Sequence, residues 1–119
     1  MSNDNPTREK KDEIAIQYVD RRTTRRHEVR VGSKTPTDAL AGSITKFVTD
    51  GIMPDLIAIA LPAMNQAWKG ASKSKQHLAP LGIHIVWDIC FCTREVYDER
   101  RGGPVSKTAM KLKSVILDL

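Results

Sequence analysis

Apolar residues recur along this chain with two periods, and each switch between them marks a new element. Ile14–Val19 alternates weakly and fits a strand, and His27–Val31 alternates with Val29 and Val31 on one face. Thr35-Pro36-Thr37-Asp38 then predicts a helix start, with Thr35 as N-cap, Pro36 as first helical residue and Asp38 in the first turn. Leu40, Ile44, Phe47 and Val48 follow at helical spacing, and Gly51 stops the helix. The run Asp55–Leu61 is short, apolar and continuous, as expected for a covered strand. Pro62 opens a second helix, whose inner face reads as Met64, Ala67, Trp68, Ala71 and Leu78. Its outer face carries Asn65, Lys69, Lys73 and Gln76. Lys75 falls beside the apolar stripe, where its stem can pack and its charge snorkel outward.

Ala79-Pro80-Leu81-Gly82 ends that helix, and strict alternation takes over from Ile83 to Phe91. Ile83, Ile85, Trp87, Ile89 and Phe91 share the expected core face; His84, Val86, Asp88 and Cys90 share the other. Thr108–Leu117 predicts a last strand, with Met110 and Leu112 inward and Lys111 and Lys113 outward. The intervening Thr93–Ser106 centres on Gly102-Gly103, which predicts a long β-hairpin with a protruding tip. The order is β-α-β-α-β-β, an α+β two-layer sandwich with a protruding terminal β-hairpin. Two helices on one sheet face leave the other face for a partner subunit or a ligand.

Length and charge narrow the picture further. The chain has 119 residues, the size of one domain, with no internal repeat to divide it. A core this small buries only about two-thirds of the unfolded surface, so a homodimer or higher homo-oligomer is expected. The longest apolar run, Leu56–Ala63, is too short to cross a bilayer. Two cysteines and no signal-like start predict a cytoplasmic protein without a disulfide framework and without a membrane partner. Lys and Arg number 19 against 14 Asp and Glu, a net charge of +5, which favours a polyanionic partner.

The positive charge comes in three blocks. Asp20–Arg30 holds Arg21, Arg22, Arg25, Arg26 and Arg30 against Asp20 and Glu28. Lys69–Lys75 holds three lysines and no acid, and Arg94–Lys113 holds six basic residues against Glu95, Asp98 and Glu99. Arg21, Arg22, Arg25 and Arg26 read as an arm that tracks phosphates, as a β-turn between strands, or as a solvated face. Lys34 precedes a helix, where free N–H groups already favour an anion; a solvated loop lysine is the plainer alternative. Lys69 and Lys73 lie one helical turn apart, with no acid at a spacing along the helix that neutralises them. Arg100 and Arg101 precede two glycines at the hairpin tip, where backbone can approach a groove closely.

Enzyme chemistry finds no support. No Walker loop, GxGxxG or nucleophile elbow is present, and His27, His77 and His84 are scattered. Cys90 and Cys92 lack further metal ligands at suitable spacing and read as small buried hydrophobes. Neither metal nor cofactor is expected. Aromatic residues make up 5% of the chain, and Trp87 and Phe91 fall on the expected core face, against a base-stacking sheet of the RRM type.

Three stretches carry a resemblance in collinear order: VGSKTPTDALAGSITKFVTDG, ALPAMNQAWKGASKSK and APLGI. Together they resemble the stage V sporulation protein S family of the Alba superfamily, from about Glu28 to Leu117. Ser33-Lys34, Ala41-Gly42 and Ala63-Met64-Asn65-Gln66-Ala67 with Lys69 are the most specific pieces. The resemblance implies an Alba-like fold over residues 28–119, a dimeric or higher assembly, and binding to DNA or RNA without an enzymatic step. It further implies that Ser33, Lys34, Asn65, Gln66, Lys69, Arg94, Arg100 and Arg101 face nucleic acid. Residues 1–27, a polar and basic extension, lie outside it. Ile59-Ala60-Leu61-Pro62 stands where the family has a small Gly/Ala-rich turn.

The sequence therefore reads as a largely sequence-independent nucleic-acid-binding protein, RNA slightly favoured over DNA because Arg-rich arms suit irregular strands. The alternative is a protein-interaction or regulatory module whose basic segments only solubilise it.

Overall fold

The computed structural model describes residues 25–117, in the order β1 (Arg26–Val31), α1 (Thr37–Thr49), β2 (Met53–Ile59), α2 (Leu61–Leu78), β3 (His84–Asp98) and β4 (Gly103–Leu117). The expected strand at Ile14–Val19 lies outside these residues, as do Arg21 and Arg22. One sheet runs β1-β2-β4-β3, with β1 parallel to β2 and the other neighbours antiparallel. The parallel pair requires a crossover, and α1 supplies it. Both helices cover one sheet face, giving the expected α+β two-layer sandwich. No helix among the described residues is long and apolar enough to cross a membrane.

Alternation along the strands sorts the two faces. Val31, Leu56, Ala58, Met110, Leu112, Ile85 and Ile116 form the core with Leu40 and Ile44 of α1 and Ala63, Ala67, Ala71 and Leu78 of α2. The inner face of α2 is made of small residues, so the helices approach closely. A Cβ on Gly70 would come within 2.4 Å of Leu40 Cδ2. A larger residue there would force Leu40 or the helices to shift.

The structure corrects several expectations. Helix α1 begins at Thr37 with Pro36 at the cap position and no side-chain cap, whereas Thr35 closes the preceding turn. Strand β2 ends at Ile59, and Leu61 already belongs to α2. Trp68 is 48% exposed, because the α2 seam follows Ala63, Ala67, Gly70, Ala71, Ser74 and Leu78 instead. Phe91 is 67% exposed and Ile89 is exposed too, although both point to the helix side. Their strand is the sheet edge, and it outruns the helical layer. Cys90 is exposed and Cys92 intermediate, on the opposite face, so neither is a core residue.

Candidate nucleic-acid interface

Strand register fixes where the basic segments lie. Val31 pairs with Ala58 near the ends of β1 and β2, and Ile59 pairs with Ala109. Beyond that point β3 and β4 continue alone from Thr93↔Thr108 to Asp98↔Gly103. At about 3.3 Å per residue, this two-stranded ribbon projects roughly 20 Å past the sheet. It leaves from the end of the sheet where β1 gives way to α1 and β2 to α2. The loop before α1, the start of α2 and the base of the ribbon thus share one pole of the molecule.

At that pole Ser33 and Lys34 are the two central residues of a tight turn. Thr35 N–H donates to the Gly32 carbonyl at 3.2 Å, and Gly32 N–H donates back to Thr35 Oγ1 at 2.8 Å. Lys34 stands exposed on this turn. The Gln66 side-chain amide donates to the Thr35 carbonyl at 2.8 Å and ties α2 to the loop. Gln66, expected at the interface itself, thus also holds the loop in place. Asn65 and Lys69 are exposed on the same half of α2.

The turn from β2 into α2 is strained. Ala60 has φ 78° and ψ 153°, a region that glycine alone visits freely. Ala60, Pro62 and Ala63 line a depression with Arg30, Gly32 and Ser33, directly beside the Lys34 turn.

Not every predicted cation is free. Lys73, expected to lack a neutralising acid, pairs with Asp38 across the helix–helix seam. Lys73 holds the Asp38 carboxyl below its usual range. Arg94 makes a two-pronged contact with Glu28, Nη1 to Oε1 at 2.8 Å and Nη2 to Oε2 at 2.7 Å. That contact outweighs desolvation, lowers the Glu28 pKa and raises that of Arg94.

Arg26 belongs to β1 and is partly buried rather than lying in a free arm. Its guanidinium donates to Asp55 Oδ1 at 2.8 Å, to Oδ2 at 3.2 Å and to the Ser114 carbonyl at 2.7 Å. Asp55 also accepts from Ser114 N–H at 3.3 Å, while Lys111 approaches both Glu28 and Asp55. These groups stitch β1, β2 and β4 together, and the Arg94–Glu28 contact adds β3. Sequence reasoning missed Asp55; an acid inside an otherwise apolar strand was its signal.

Among the described residues, Lys34, Lys69, Arg25, Arg100 and Arg101 form no ion pair. Arg100 and Arg101 occupy the ribbon tip, where Arg100 N–H donates to Asp98 Oδ1 at 2.9 Å. Gly102 follows at φ 70° and closes the turn onto the Asp98 carbonyl. Among the described residues, neither the Arg100 nor the Arg101 guanidinium enters an ion pair. The described residues contain no group of three His, Cys, Asp or Glu able to hold a metal.

Comparison with known proteins adds a family and a fold. The sequence model of the Stage V sporulation protein S family matches residues 27–116. Among solved structures, Alba from Thermoplasma volcanium is similar with a TM-score of 0.58 at 15% identity. The match covers 75% of this chain and 99% of that one. At that identity the likeness concerns fold alone. No curated protein matches the chain.

Proposed function

The chain belongs to the Stage V sporulation protein S family and has an Alba-like fold, and on that premise we propose that it is a non-enzymatic, largely sequence-independent nucleic-acid-binding protein. Lys34, Lys69, Arg100 and Arg101 are its phosphate contacts, with Ser33 and Asn65 as polar neighbours on the same pole. One observation carries the reading: strand register brings the Lys34 turn, the start of α2 and the ribbon bearing Arg100 and Arg101 to one end of the sheet, and among the described residues Lys34, Lys69, Arg100 and Arg101 enter no ion pair. Uncompensated positive charge spread over a helix, a loop and a projecting ribbon suits a sugar–phosphate chain rather than a small ligand. Lys73, Arg94 and Arg26 are structural first, since each already has a carboxylate partner.

RNA is the favoured partner and the cytoplasm the setting. A homodimer is part of the reading, supported by exposed Ile89 and Phe91 on edge strand β3. The test is a polarisation titration of the full chain with matched RNA and DNA oligomers at low salt. Binding to both, with RNA tighter, is expected; no binding to either overturns the reading. The same edge residues favour the second reading, a protein-interaction module. A chain that dimerises through Phe91, loses the dimer as Phe91→Lys and binds no nucleic acid would establish that alternative.

A further inference from the structure

Trp68 sits mid-way along α2 with nearly half its surface in solvent, and it stands beside a cation in a depression rather than alone. Trp68, Lys69, Ser72 and Lys73 of α2 and Thr37 of α1 line a shallow depression between the two helices. Its lining is mainly apolar toward Trp68 and cationic at Lys69. Lys69 enters no ion pair among the described residues, whereas Lys73 is held by Asp38 and forms a fixed wall. Other exposed aromatics exist at Phe91 and Tyr97, but these lie on the edge strand and the ribbon. Trp68, by contrast, shares its depression with Lys69, which enters no ion pair among the described residues.

We propose that this depression takes one unpaired base of single-stranded nucleic acid, stacked on the Trp68 indole, with an adjacent phosphate on Lys69. The proposal rests on the nucleic-acid reading above and sharpens it to a substrate class. Base–aromatic stacking contributes about 1–3 kcal/mol per base and tolerates any sequence, since every base has a π-face. A base inside a duplex cannot present that face, so the depression discriminates single strands from duplex. An apolar ring beside a cation also matches the alternation of base and phosphate along a strand. The sugar is not read here, so RNA and DNA strands are both admitted.

The experiment titrates the full chain with oligouridylate, oligothymidylate and a blunt duplex, following intrinsic tryptophan emission and polarisation. Trp87 packs against the core, so quenching by a bound strand reports mainly on Trp68. Either single strand should quench the emission. Trp68→Ala should weaken single-strand binding about 5- to 150-fold, and Trp68→Phe should retain most of it. Duplex affinity should be unchanged. Trp68→Leu keeps apolar bulk without the π-face and should resemble the alanine variant. Leucine binding single strands as well as tryptophan overturns the stacking proposal. If Trp68→Ala binds normally while Lys69→Ala does not, stacking fails and the phosphate-gripping pole stands. If the unaltered chain binds no oligomer at all, both fail together.

Discussion

The Gln66 side-chain amide donates to the Thr35 carbonyl at 2.8 Å, joining the turn that displays Lys34 to the helix that displays Lys69. Two cations from different elements are thereby held in a fixed relation, without either spending its charge on the connection.

Gln66→Ala should leave the fold intact and weaken nucleic-acid binding by about 2- to 12-fold, the worth of one hydrogen bond. Amide exchange at Ser33 and Lys34 should accelerate in the same variant. Faster exchange without weaker binding would mean that the turn's position is irrelevant to the ligand.

Gly70→Ala tests the helix seam. The added Cβ meets Leu40 Cδ2 at 2.4 Å and Cγ at 2.7 Å, which forces the helices apart or Leu40 off its rotamer. Overpacking of this kind costs about 1–3 kcal/mol, more than the roughly 1 kcal/mol that alanine gains in helix propensity. Thermal unfolding should show a lower Tm. Leu40→Ala, Gly70→Ala together should recover part of the loss expected from the two single variants.

Asp55→Ala removes the carboxylate from a pair in which Asp55 is buried and Arg26 is 26% exposed. A partly buried guanidinium remains, with the Ser114 carbonyl as acceptor but no carboxylate to balance its charge. Breaking a buried pair costs about 3–5 kcal/mol, and the partial exposure of Arg26 puts the expected loss at about 2–4 kcal/mol. Denaturant unfolding measures it. The double variant with Arg26→Met should be more stable than Asp55→Ala alone.

Acid should loosen the ribbon's anchor before it unfolds the domain. Glu28 has its pKa lowered chiefly by the Arg94 hydrogen bonds. Its stabilising share is complete above the usual carboxylate pKa and disappears as pH falls through the lowered value. Stability should therefore decline as pH drops below the ordinary range of a glutamate. Glu28→Gln should show a shallower decline, read from unfolding midpoints at several pH values.

Most of the fold is legible in the sequence, and the reasons are local. Helix α1 announces itself through Pro36, Asp38 and a strict apolar stripe, and the β3–β4 hairpin through alternation around Gly102-Gly103. Trp68 is misread because the true α2 seam is built of Ala63, Ala67, Gly70, Ala71 and Ser74, residues too small to dominate a hydrophobic pattern. Phe91 is misread because alternation assigns a face but not whether a helix covers that stretch of it. Thr35 gives every local sign of a cap, yet its hydroxyl serves the turn instead. The ion pairs are illegible for another reason: Glu28 and Arg94 are 66 residues apart, and Asp38 and Lys73 are 35 apart. Only the folded sheet and the helix seam bring these partners together. The free cations, by contrast, sit in loops and on outer faces, where local sequence already exposes them.

The salt dependence of binding by the full chain and by Lys34→Ala, Lys69→Ala and Arg94→Ala tests the central claim most directly. Plotted as log affinity against log salt, the unaltered chain should give a steep negative slope. Loss of Lys34 or Lys69 should flatten it by about one phosphate contact each. Arg94→Ala, which removes a cation already held by Glu28, should change the slope least. Slopes that stay the same for Lys34 and Lys69 but fall for Arg94 would contradict the account.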